Sequence, residues 1–121
     1  MSDSRENALG LARLLAEHKG SDVVAMDVAA QAGWTDYFVI ATASSGTHLR
    51  SLARFADEYA AERGIARLNR SFVAEDDEWA LEDFGDVVVH IMTAASRSFC
   101  ELEKLWFQAK VTKVEGPDKP V

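Results

Sequence analysis

Residues 79–92 read Trp-Ala-Leu-Glu-Asp-Phe-Gly-Asp-Val-Val-Val-His-Ile-Met, and this stretch decides the fold. In its first part, Trp79–Asp83, large apolar residues alternate with small or charged ones, as in a strand with one covered face. Phe84-Gly85 is a turn signal, and Asp86–Met92 is apolar at most positions. An apolar run of this length predicts a strand that is covered on both faces. We therefore predict a β-hairpin inside a sheet that carries helices on both sides.

Two further strands and three helices are predicted before and after this hairpin. Val23–Val28 and Tyr37–Thr42 predict strands, and the short gap between them leaves no room for a helical crossover, so they should be antiparallel neighbours. A weak third strand is expected within residues 66–73. Apolar periodicity predicts three helices, over residues 4–19, 47–63 and 95–109.

The predicted fold class is α/β: a three-layer domain whose mixed β-sheet of about five strands has helices on both faces. A chain of 121 residues suggests a single domain, which we place at residues 1–109. Residues 110–121, with Pro117 and Pro120, are expected to form a flexible C-terminal tail. Two helices should face the core with apolar stripes, which consist of Ala8, Leu11, Ala12 and Leu15 in the first and of Leu49, Leu52, Ala53, Ala56 and Ala60 in the second.

The chain is acidic, with 20 Asp and Glu residues against 13 Lys and Arg and a formal net charge of −7. Binding to nucleic acid needs cations that replace the counterions of the phosphates, so we expect no direct DNA contact and at most a peripheral RNA contact. The charge favours a basic protein partner instead. No apolar stretch approaches the roughly 20 residues that cross a bilayer, and the N-terminus lacks a signal-peptide pattern, so we expect a cytoplasmic protein with no membrane contact.

Catalytic and metal-binding patterns are weak. The turn at residues 43–48 leads from a strand into a helix and could cradle a phosphate, but it lacks the spacing and the lysine of a P-loop. Ser44 and His48 show no nucleophile elbow, so helix capping is the simpler role. His90 falls within a buried strand, where a lone histidine is usually hydrogen-bonded. The histidines and the single cysteine have no metal-ligand spacing, and we predict no catalytic residue, metal or cofactor.

Two surfaces are candidates for binding a protein. Trp79, Leu81 and Asp83 share one face of their strand, which could be core or could reach a partner. On the third helix, Cys100, Glu103 and Phe107 form a ridge beside the main apolar stripe, which consists of Phe99, Leu102, Leu105, Trp106 and Ala109. Apolar groups around one carboxylate suit an interface with a basic partner. The alternative, a wide buried face with Glu103 at its rim, stays open.

Four segments of the sequence, taken in order, resemble the Iojap family of ribosomal silencing factors (RsfS). The likeness runs over about residues 5–109, and each segment alone would be a weak match. The segments are Thr35–Ile40; Ala41-Thr42, Ser44-Ser45 and His48-Leu49; Trp79–His90; and Arg97, Phe99 and Leu102–Trp106.

The resemblance implies a non-enzymatic protein that binds the large ribosomal subunit at its fourteenth protein. Occupying that face would block joining of the small subunit and repress translation when nutrients are scarce. The family's fold resembles nucleotidyltransferases without their catalytic equipment, and no Asp-x-Asp pair follows a Gly-Ser turn here. The partner-binding residues so implied are Asp36, Tyr37, Trp79, Leu81, Asp83, Cys100, Glu103, Trp106 and Phe107.

The sequence departs from the family pattern at three places. Cys100 stands where the family often has Tyr, Thr47 stands where Arg is usual, and residues 70–73 replace a Glu-Gly pair. Two other functions stay open: a small nucleotide-binding or nucleotidyltransferase-like enzyme that uses the turn from Ser44 to His48, and a dimeric adaptor. Monomer and homodimer are both compatible with the sequence.

Overall fold

The computed structural model describes residues 4–33, 35–66, 72–74, 76–100 and 109–114. The described helices are α1 (Ser4–Glu17), α2 (Ala29–Ala32), α3 (Gly46–Glu62) and α4 (Ala94–Cys100). The described strands are β1 (Ser21–Asp27), β2 (Tyr37–Ala43), β3 (Phe72–Val73), β4 (Trp79–Asp83), β5 (Val87–Thr93) and β6 (Lys110–Val114). No helix in these ranges is long and apolar enough to cross a membrane.

The strands form one mixed sheet in the order β3-β4-β5-β2-β1-β6. β2 and β5 are parallel and run in register from Tyr37 opposite Val87 to Ala43 opposite Thr93. The other neighbours are antiparallel, including β1 with β2 and β4 with β5, as predicted. β2 and β5 lie at the centre of the sheet. They can be parallel because residues 44–86 between them hold α3, a crossover long enough to return the chain in the same direction.

Helices α1 and α3 pack against one face of the sheet and against each other. Both predicted stripes are buried there; for example, Leu11 and Leu52 are fully inaccessible to solvent. The helices contribute Ala12, Ala53 and Ala56 among others to this buried cluster, and the sheet contributes the alternate residues Val39, Ala41, Val87, Val89 and Ile91. This face forms the larger part of the described hydrophobic core.

The opposite face of the sheet carries a second buried cluster, made of Val24, Met26, Val28, Phe38, Ile40, Val88 and Met92. A hydrogen bond shows that α4 lies on this side: the guanidinium of Arg97, a residue of α4, donates to the hydroxyl of Thr42 at 3.0 Å. Thr42 follows Phe38 and Ile40 at alternate positions of β2 and so shares their face. The predicted arrangement of helices on both faces of a mixed sheet is therefore confirmed.

The predicted flexible tail is wrong for residues 110–114. These residues form β6, which pairs antiparallel with β1 from Asp27 opposite Lys110 to Val23 opposite Val114. The sheet consequently has six strands where about five were expected. The physical reason is the free edge of β1, whose backbone groups need partners, together with the β-branched residues Val111, Thr112 and Val114. Both prolines come after the strand.

Candidate partner-binding surface

Three side chains of β4 point to the same side of the sheet as the second buried cluster. Trp79, Leu81 and Asp83 are each half-buried, while Ala80 and Glu82 between them are fully buried against the α1 and α3 side. Trp79 and Leu81 pack on the second cluster with one part of their surface and keep another part accessible. We call these three residues the β4 surface. It combines two large apolar groups with a carboxylate at one end.

The indole of Trp79 is hydrogen-bonded to a histidine of the neighbouring strand β5. Its Nε1–H donates to Nδ1 of His90 at 3.3 Å, and the two ring centroids lie 6.0 Å apart. His90 is directly opposite Leu81 in the antiparallel ladder, so it lies beside Leu81 on the same face of the sheet. On its other side the imidazole contacts the ring of Phe38 edge-on at 4.8 Å. The expectation of a buried, hydrogen-bonded histidine is confirmed.

Burial keeps this imidazole neutral. Only 6% of His90 is exposed, and loss of hydration lowers its pKa from 6.5 to about 4. Because Nδ1 accepts the indole hydrogen bond, the ring proton of the neutral form is on Nε2. Within the described residues Nε2 has no hydrogen-bond partner. The hydrogen bond from Trp79 thus fixes one tautomer of His90.

Acid should destabilise the fold through His90. The unfolded chain takes up the histidine proton below about pH 6.5, whereas the folded chain resists it until about pH 4. The free energy of unfolding should therefore be unaffected by His90 above pH 6.5 and should fall as the pH drops from 6.5 to 4. Urea unfolding at several pH values tests this. His90→Asn should show a flatter dependence in that window, and identical slopes for the two proteins would contradict it.

Asp83 shapes the hairpin turn and places negative charge at one end of the β4 surface. Its carboxylate accepts a hydrogen bond from the backbone N–H of Gly85 at 2.8 Å, and Gly85 has a φ of 90°, a conformation that favours glycine. Asp86 lies in the same turn, and its carbonyl accepts the backbone N–H of Asp36 at 3.0 Å. Three aspartates consequently lie at this end of the sheet, and the predicted residue Asp36 is connected through its backbone to the turn that follows the β4 surface.

The other predicted site residues fall into three cases. Tyr37 begins β2 but packs against the cluster under α1 and α3, on the opposite face from Trp79. The structure therefore does not bring Tyr37 to the β4 surface. Cys100 is the last residue of α4, and its side chain is not among the described parts of the structure, so its role stays a prediction. The remaining predicted residues, Glu103, Trp106 and Phe107, lie outside the described residues, so their part in the surface stays a prediction.

The turn between β2 and α3 uses its polar groups internally. Ser45 is the N-cap of α3, and its hydroxyl accepts the backbone N–H of His48 at 3.1 Å. Nδ1 of His48 lies 3.0 Å from the backbone nitrogen of Ser44 and 3.1 Å from its hydroxyl, while Nε2 lies 2.8 Å from the carbonyl oxygen of His18. His48 therefore connects the turn before α3 to the turn after α1. Its Nδ1 accepts the backbone N–H of Ser44, and its Nε2–H donates to the carbonyl of His18. This geometry favours the capping interpretation of this segment.

Removing the cap should weaken the fold and leave partner binding alone. Ser45→Ala should lower the free energy of unfolding by about 1 kcal/mol, the usual contribution of an N-cap hydroxyl. Chemical denaturation measures this, and Ser45→Asp, which keeps a capping oxygen, is the matched control. Unchanged stability in Ser45→Ala would show that the turn is held by the His48 contacts alone.

Within the described ranges, His, Cys, Asp and Glu form no group of three or more suited to holding a metal ion.

Sequence reasoning missed the hydrogen bond between Trp79 and His90. Both residues stood out separately, but only the register of the hairpin places the histidine next to the β4 surface. Pairing the alternate residues of the two predicted strands was the signal that could have found it.

Comparisons with known proteins agree with one another. A family model described as "Ribosomal silencing factor during starvation" matches residues 1–121. The ribosomal silencing factor RsfS of Treponema pallidum is 34% identical over 110 residues, which cover 88% of this chain and 95% of that protein. The mouse protein named "Mitochondrial assembly of ribosomal large subunit protein 1" is 30% identical over 107 residues, 79% of this chain and 43% of its own. A crystal structure from Chromobacterium violaceum superimposes with a TM-score of 0.82 at 29% identity and covers 98% of both chains.

Proposed function

The chain belongs to the family of ribosomal silencing factors, and from this premise we propose that it binds the large ribosomal subunit and keeps the small subunit from joining. The docking point that we propose is the fourteenth protein of the large subunit, as the family resemblance implies. Binding would repress translation in the cytoplasm when nutrients are limiting. The proposed mechanism is steric and contains no chemical step.

The β4 surface is the observation that carries this proposal. Half-buried Trp79 and Leu81 offer apolar area that a partner can cover, and large aromatic side chains often supply most of the binding free energy at interfaces. A hydrogen bond holds Trp79, and both residues pack on the second cluster, so little conformational freedom is lost on binding. A pre-organised aromatic anchor of this kind suits recognition of a folded protein.

Charge supports the choice of a basic partner. The net charge of −7 favours encounter with positively charged surfaces, and Asp36, Asp83 and Asp86 place negative charge at the end of the β4 surface. Ribosomal proteins are commonly basic. The resulting complex should weaken as salt increases, because charge pairs at the rim of an interface are screened.

A blocking mechanism needs only that the bound chain occupies space that the small subunit requires. In this proposal a chain of 121 residues on the joining face takes up that space. No observation in the described residues favours the nucleotide-binding alternative, because the turn at Ser44–His48 directs its hydroxyl and imidazole groups to the chain itself.

Co-sedimentation with separated ribosomal subunits tests the proposal. The purified chain should pellet with large subunits and stay in the supernatant with small subunits, and the pelleted fraction should fall as salt is raised. Binding to the isolated fourteenth protein, measured by titration, tests the proposed docking point. Equal pelleting with both subunits, or with neither, would contradict the proposal.

A further inference from the structure

A buried histidine beside a half-buried tryptophan is not needed by a surface that offers only apolar area. His90 is 6% exposed, and its Nδ1 takes the single hydrogen bond that the indole of Trp79 can donate. A Leu or Val at position 90 would fill this buried strand position without burying a polar ring. Burying the imidazole costs stability, and within the described part of the chain its one hydrogen bond, from Trp79, offsets part of that cost.

We propose that His90 is a positioning residue for partner binding: its imidazole fixes the orientation of the Trp79 indole on the β4 surface. The inference rests on the proposed function and deepens it, since it identifies which buried group prepares the anchor. His90 itself does not touch the partner in this account. It acts through Trp79, by keeping the indole in one orientation before the partner arrives.

The geometry supports this role. A half-buried indole can otherwise turn about its side-chain bonds, and fixing it before binding reduces the entropy lost on association. The imidazole cannot turn freely in response, because it is confined between Leu81 on β4, Ile40 on β2 and the ring of Phe38. Because the confined imidazole accepts the hydrogen bond of the indole N–H, it sets a single orientation of the Trp79 ring.

The described charged groups near His90 do not supply an alternative partner. On this face β4 offers Asp83, whose carboxylate bonds Gly85 and which lies opposite Val88. α4 offers Arg97, which donates to the carbonyl of Asp22 and the hydroxyl of Thr42. The flanking positions on β2 and β5 that share this face are Phe38, Ile40, Thr42, Val88 and Met92, and none of them titrates.

Two substitutions of His90 show whether it orients the Trp79 indole or only fills space in the core. His90→Asn keeps an acceptor oxygen close to the place of Nδ1, whereas His90→Leu keeps apolar volume and removes the acceptor. In the isolated chain, hydrogen exchange of the Trp79 indole N–H, followed by NMR, should be about tenfold faster in His90→Leu and nearly unchanged in His90→Asn. Equal exchange rates in His90→Leu and the parent chain would overturn the inference, whatever the ribosome does.

A double-mutant cycle carries the test to binding. Trp79→Phe keeps an aromatic ring but has no N–H for His90 to hold. His90→Leu should weaken co-sedimentation with large subunits by several-fold in the parent chain and should have no further effect in Trp79→Phe. Equal losses in both backgrounds would mean a general structural role and would overturn the inference. If the parent chain fails to bind large subunits, the proposed function fails, and the exchange measurement decides the inference alone.

Discussion

Trp79→Ala should weaken binding to the large ribosomal subunit by at least about 30-fold, which corresponds to about 2 kcal/mol, the threshold of an interface hot spot. The substitution removes the largest side chain of the β4 surface, and it also leaves Nδ1 of His90 without its indole donor. Because the indole is only half-buried, the loss should fall mainly on binding, with a smaller loss of stability. Quantitative co-sedimentation with large subunits measures the change.

Phe55→Ala is the matched control for this prediction. Phe55 is also an aromatic residue and half-buried, but it lies on α3, behind the opposite face of the sheet, where its ring stacks on His18 at 3.8 Å. Its removal should change subunit binding by less than about threefold, the scale of a surface substitution away from an interface. A folded Trp79→Ala chain that binds like its parent, or an equal loss in Phe55→Ala, would place the interface elsewhere.

Leu52→Ala should lower the free energy of unfolding by roughly 2–5 kcal/mol. Leu52 is fully buried in the cluster that joins α1, α3 and the sheet, so its truncation removes apolar burial and leaves a cavity that rigid neighbours fill incompletely. Stabilities of whole domains are commonly only 5–15 kcal/mol, so the variant should have a much lower urea midpoint.

Glu58→Ala, on the exposed side of the same helix, is the control and should stay within about 0.5 kcal/mol of the parent chain. The comparison separates packing from helix propensity, because alanine is a favourable helix residue at both positions. A loss below 1 kcal/mol in Leu52→Ala would mean that α3 does not pack on the sheet as described.

Local periodicity was sufficient to predict most of the fold. The stripes of α1 and α3 follow directly from helical spacing, and the hairpin from alternation interrupted by Phe84-Gly85, so these elements needed no tertiary information. β6 was missed because an exposed strand with residues such as Lys110 and Lys113 has no apolar pattern. Its formation depends on the free edge of β1, which a linear sequence does not display.

The candidate site was less predictable than the fold. Alternation placed Trp79, Leu81 and Asp83 on one face correctly, since it depends only on the strand period. Tyr37 was assigned to the same surface through motif likeness, although alternation with Val39 directs it to the α1 and α3 side. The contact between Trp79 and His90 depends on strand register, and register is set by the turn.

The measurement that tests the central claim most directly is subunit joining itself. Purified large and small subunits are mixed at a magnesium concentration that supports joining, with increasing amounts of the chain, and joined ribosomes are separated from free subunits on sucrose gradients. The account predicts that joined ribosomes decrease as the chain increases, that the chain migrates with free large subunits, and that Trp79→Ala requires far higher concentrations than Phe55→Ala. Undiminished joining while the chain is bound to large subunits would contradict the steric mechanism.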